Sequence, residues 1–143
     1  MRLFDYTWKL LGLSETIHRW HEVLLGLEAG RRESVARYAE KIADTLARAA
    51  AAFATLEKNP AGAQAARDAI RELGRIAGYV EDIVKALEHD LDGRKLAGVK
   101  KRLDQLAGKA PIRTAVRAVD ATRVERLLEA EGYFRALADR LRA

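Results

Sequence analysis

The stretch Ala65 to Leu91, AARDAIRELGRIAGYVEDIVKALEHDL, decides how the chain is read. Ala66, Ile70, Leu73, Ala77, Val80, Val84 and Leu87 recur at steps of three or four, the period that gathers side chains on one face of a helix. An apolar stripe of that length has to be covered by other helices. The chain is therefore expected to be all-α, a four- to five-helix up-and-down bundle in one domain over residues 1–143, organised around this segment. Gly74 and Gly78 lie four apart within it. Each costs on the order of 1 kcal/mol of helix propensity, which points either to close backbone packing or to a tolerated weak spot.

Working outward toward the N-terminus, Asn59-Pro60-Ala61-Gly62 is a short connection, because a residue before proline is pushed out of the helical region. It implies an antiparallel return of the quoted segment against a preceding helix, expected from about Arg32 to Glu57. There Val35, Tyr38, Ile42, Leu46, Ala49, Phe53 and Leu56 form a regular seam, and the alanines between 47 and 52 permit a close neighbour. Upstream, Leu13, Ile17, Trp20, Leu24 and Leu27 form another stripe, with Ser14 as its expected N-cap and Gly30 expected to close it in the left-handed conformation. The first dozen residues are the most aromatic and fit either period. Helix is preferred, since nothing else in the chain would pair with a strand.

Toward the C-terminus, Asp90-Leu91-Asp92-Gly93 reads as a turn. A shorter basic helix, Arg94 to Ala107, carries the stripe Leu96, Val99, Leu103 and Leu106. After Gly108 and Pro111, the final apolar pattern either runs as one helix from Pro111 or starts afresh at the capping box Thr122-Arg123-Val124-Glu125.

Composition excludes several classes of function. The 143 residues contain no cysteine, so there is no disulfide framework, thiolate nucleophile or cysteine-ligated metal site. No run approaches the roughly 18 apolar residues needed to span a bilayer, and the N-terminus reads as no signal peptide. A cytoplasmic chain is expected. The two serines, Ser14 and Ser34, lie in no nucleophile-elbow setting, and no glycine-rich phosphate loop opens a helix. Glu15-x-x-His18, with Glu22 one turn on, is a lone carboxylate–imidazole pair, whereas di-iron bundles need two such pairs plus two further glutamates. None of His18, His21 and His89 follows an arginine at the four-to-six-residue spacing of helical ribonucleases. The expectation is a non-enzyme with no cofactor, no metal and no small-molecule substrate.

Charge is unevenly distributed. Residues 1–92 hold 13 Lys/Arg against 15 Asp/Glu, while residues 93–143 hold 13 against 6. Arg94, Lys95, Lys100, Lys101, Arg102, Lys109, Arg113 and Arg117 would meet phosphates in a salt-sensitive way, on lipid or on nucleic acid. No aromatic is interleaved to stack bases, which disfavours single-strand recognition. A basic amphipathic helix beside an aromatic N-terminal segment is also how a bundle engages a membrane surface. Phe4, Trp8 and Leu11 are the candidates for apolar insertion, on an amphipathic segment of residues 1–13 able to move. Lys95, Lys100, Lys101 and Arg102 are the candidates for anionic headgroups.

The runs DTLARAAAAFATLEKN, AARDAIRELGRIAGYVEDIVKAL and KLAGVKKRLDQLAGK together resemble the four-helix cell-death bundles: the N-terminal bundle of the mixed-lineage-kinase-like pseudokinase, the fungal HeLo domains and their bacterial relatives. The likeness covers about residues 10–108 and lies in two long helices, a turn and a short basic helix ending Lys101-Arg102-Leu103-Asp104-Gln105-Leu106. It implies a non-enzymatic effector that oligomerises and attacks membranes through its N-terminal helix and basic surface. The expected partners are accordingly a protein or a second copy and an anionic membrane, reached at its inner face. A small nucleic-acid-binding subunit and a plain adaptor bundle, dimerising through the seam Val35 to Leu56, stand as the alternatives.

Overall fold

The computed structural model describes residues 8–9, 11–12, 15–17, 19–59, 61–87, 94, 97–101 and 121–143. Among them there is no strand, and the architecture is an all-α bundle. Its helices are α1 (His21–Leu25), α2 (Ala29–Lys58), α3 (Ala63–Ala86) and α4 (Ala121–Arg142). Trp8, Lys9, Leu11, Gly12, residues 15–17 and residues 97–101 are also helical.

The organising element is α2 rather than the segment 65–91. It packs extensively against both α4 and α3, and more lightly against α1, while α3 and α4 flank it without approaching each other. The physical reason lies in how much of each helix is apolar or small. α3 buries a single stripe, whereas α2 buries the seam Val35, Ala39, Ile42, Leu46, Ala49, Phe53 and Leu56 together with Ala36, Ala43, Ala50, Thr45 and Ala52 on either side. A helix with one apolar stripe sits at the edge of a core; one whose stripe is widened by small residues can take neighbours on two sides. Thr45, fully buried, keeps its hydroxyl satisfied by donating to Lys41 O at 2.6 Å and accepting from Arg48 Nη2 at 3.1 Å.

Cross-helix contacts fix the directions. Arg48 pairs with Glu72 at 2.9 Å, the Lys41 ammonium lies 5.7 Å from the Tyr79 ring centroid, and the Arg31 guanidinium donates to Ala86 O. Positions that rise along α2 meet positions that fall along α3, so the two form the antiparallel hairpin expected from the Asn59–Gly62 connection. Arg135 pairs with Asp44 at 3.0 Å, and Arg142 with Glu33 at 3.2 Å and Glu40 at 2.6 Å, so α4 also runs against α2.

Two details of the sequence reading change. On α3 the fully buried residues are Ala69, Ile76 and Ile83 alongside Ala66, Leu73, Val80, Val84 and Leu87, while Ile70 and Ala77 are only partly buried. Both sets satisfy a three-four spacing, and packing onto α2 selects the one that centres the isoleucines. Gly30 is not a left-handed cap: it lies in the first turn of α2, and no described glycine has positive φ. The chain breaks earlier, at Gly26, whose N–H donates to Glu22 O and Val23 O. Extended Glu28 (φ −60°, ψ 157°) then accepts from Arg32 N–H to open α2.

One continuous core results. Its largest fully buried side chains include Phe53, Phe134, Ile17, Leu24, Ile42 and Ile76, and it extends to Leu11 at one end of the described chain and Leu141 at the other. The turn at 90–93 and the stretch 111–120, on which the choice between one final helix and two depends, lie outside the described residues.

Candidate functional site

The residues singled out for surface binding fall into two groups. Phe4, Lys95 and Arg102 lie outside the described residues. In the basic stretch, Lys100 and Lys101 are exposed on the helical turn 97–101, whose Val99 is 2% exposed and belongs to the core. One apolar side chain thus anchors the turn while the two lysines that follow it in sequence are exposed.

In the N-terminal group, Leu11 is packed into the core at 4% exposure, whereas Trp8 is 38% exposed. The Trp8 ring is capped by α4: the Arg126 guanidinium carbon lies 5.0 Å from the ring centroid. The same guanidinium reaches Glu15, Nη2 to Oε1 at 3.2 Å. Trp8 and Glu15 are seven residues apart in sequence, and one arginine contacts both. Glu15 and Arg126 each keep more than a third of their side chains accessible, so the contact is solvated. Close by on α4, the Tyr133 hydroxyl donates to Glu129 Oε1 at 2.9 Å. That bond, with the negative charges of Glu129 and Glu15, raises the phenol above its ordinary range.

The α4 arginines change the meaning of the charge asymmetry. Arg126, Arg135 and Arg142 all pair with acids of the N-terminal half, Glu15, Asp44, Glu33 and Glu40. Their carboxylate partners hold Arg135 and Arg142 above the ordinary guanidinium range, so both stay fully charged. Residues 121–143 carry five Lys/Arg against four Asp/Glu and are nearly balanced, whereas residues 93–120 carry eight (Arg94, Lys95, Lys100, Lys101, Arg102, Lys109, Arg113, Arg117) against Asp104 and Asp120. The basic character of the C-terminal third therefore resides in 93–120. The arginines of α4 serve in part as internal clamps.

Among the described residues no group of three or more His, Asp or Glu is placed to hold a metal ion. Glu15, one half of the Glu15-x-x-His18 pair, is engaged by Arg126, and His18 lies outside the described residues. Among the described residues no helix is long and apolar enough to cross a membrane.

Arg126 is the residue that sequence reading missed. Nothing in the local pattern distinguishes it from Arg123, Arg135, Arg140 or Arg142, because what singles it out is contact with residues more than a hundred positions away. Compared with protein-family models, curated proteins and solved structures, the chain matches none.

Proposed function

We propose that this chain is a non-enzymatic helical-bundle effector that docks on anionic membrane surfaces and acts there through self-association, in the manner of a cell-death bundle. The observation that carries the reading is the confinement of excess positive charge to residues 93–120, where Val99 anchors a turn that presents Lys100 and Lys101 to solvent. Each Lys or Arg near an anionic membrane surface contributes about 1 kcal/mol. Trp8, amphipathic and 38% exposed, supplies the residue type that favours the interfacial layer. Phe4 and Leu11 would join it on insertion, Leu11 only after leaving the core. The docking face takes Lys95, Lys100, Lys101 and Arg102 as its headgroup contacts, and no cofactor enters.

Co-sedimentation of the purified protein with anionic and with neutral vesicles, at low and at physiological salt with a duplex DNA competitor, tests the proposal. Binding to anionic vesicles that persists at physiological salt, accompanied by dye leakage, is the expected result. Replacing Lys95, Lys100, Lys101 and Arg102 by Glu should lower partitioning by at least about a thousandfold, the equivalent of four contacts of about 1 kcal/mol. Unchanged binding of that variant removes the basic stretch from the account. Capture by DNA with a steep salt dependence and no binding to lipid would instead make the protein a nucleic-acid-binding subunit.

A further inference from the structure

We infer that Arg126 is a latch that holds Trp8 and Glu15 against α4, and that anionic headgroups open it by competing for the same guanidinium. The inference rests on the membrane-docking reading and names the step that would regulate it. Three observations carry it. Arg126 contacts both Trp8, at 5.0 Å from the ring centroid, and Glu15, at 3.2 Å. Trp8, 38% exposed, thus carries a guanidinium over its ring. Both contacts stay accessible to solvent in part, and a partly accessible ion pair or cation–π contact is weak enough to be exchanged for a phosphate. Beneath the latch, Leu11 and Ile17 are fully packed, so freeing Arg126 loosens the outer turns first and leaves the core seam in place.

The chemistry of the exchange is balanced in charge and in hydrogen bonds. A guanidinium bonds phosphate through the fork it offers a carboxylate, so Arg126 passes from Glu15 to a headgroup with its donors satisfied in both states. Trp8 loses its cationic cap at the same moment and at the same surface. In a zwitterionic membrane each phosphate is paired with its own choline cation and the surface carries no net charge, so it competes weakly and the latch stays closed on it.

Amide hydrogen exchange on the full-length chain without lipid tests the latch separately from the membrane reading. Arg126→Gln should raise exchange of the amides over residues 8–17 by between about two- and thirtyfold while leaving amides of α2 around Phe53 unchanged. Arg126→Lys, which keeps a cation but loses the planar fork, should restore only part of the protection. Glu15→Gln should give a smaller rise, because the stack on Trp8 remains. Unchanged exchange at residues 8–17 in Arg126→Gln and Glu15→Gln would overturn the latch, as would a uniform rise across α2 and α4, which would make Arg126 a general prop. With vesicles of phosphatidylserine and phosphatidylcholine, Arg126→Gln should leak dye faster than wild type at equal bound protein. Equal leakage would overturn competition by headgroups. Raised exchange without lipid, together with no vesicle binding by either protein, would support the latch and sink the membrane reading.

Discussion

Gly74 and Gly78 present the sharpest test of the surface of α3. Both are exposed in the interior of a regular helix, neither has positive φ, and a Cβ built on either meets nothing within 4 Å. Alanine at each position therefore brings no clash, while it removes backbone freedom from the unfolded chain and restores helix propensity. The gain is about 0.4–1 kcal/mol per site, and since the two methyl groups point into open space they should add, to about 1–2 kcal/mol. For a chain of this length the double variant Gly74→Ala/Gly78→Ala should melt about 3–10 °C higher. Thermal unfolding followed by circular dichroism, repeated over a range of protein concentrations, measures it. Gly62→Ala is the internal control with the opposite sign, because its Cβ would stand 3.1 Å from the backbone oxygen of Asn59, the acceptor of the Gly62 N–H in the hairpin turn. A double variant that is no more stable than wild type would refute the reasoning. It would mean that the face is covered by something other than water, and a concentration-dependent loss of stability would identify the cover as a second copy.

Other consequences of the structure are open to measurement. Phe53, 1% exposed on the central helix, should cost about 3–5 kcal/mol on truncation to Ala, whereas Ile70→Ala, at the partly buried edge of α3, should cost markedly less; denaturant titration at constant m separates them. The Arg135–Asp44 pair between α4 and α2 is nearly half exposed on both sides, so a double-mutant cycle should return a coupling below about 1 kcal/mol that disappears in 1 M salt. Tyr133 should ionise above the ordinary tyrosine range, and Tyr133→Phe should delete that late component from an ultraviolet titration. Its folded pKa is raised, so the stability it contributes is present below the ordinary tyrosine value and lost as pH climbs through the folded one; a titration unchanged by the substitution would contradict the Glu129 bond.

Much of the architecture was legible in the chain, and the reason is periodicity. The seam of α2 appears in the structure almost residue for residue, with Tyr38 alone left partly buried, because spacing along a helix is a local property that packing can use but not alter. The hairpin of α2 and α3 was equally legible, since Asn59-Pro60 stops one helix and a short connection leaves the next no direction but back. The break before α2 was misplaced because glycine permits a left-handed cap without requiring one, and the backbone bonds at Gly26 and Glu28 ended the turn first.

By itself, the sequence determined that the fold is all-α, that the chain has no cysteine chemistry, and that its excess of positive charge lies late in the chain, all properties of composition and of neighbours a few residues apart. Only the tertiary structure decided which helix is central, which of two equivalent stripes on α3 faces inward, and which arginines are spent within the fold. Arg126 shows why. Its partners Trp8 and Glu15 lie more than a hundred residues away, and no local spacing records a meeting that exists only once α4 has run back along α2.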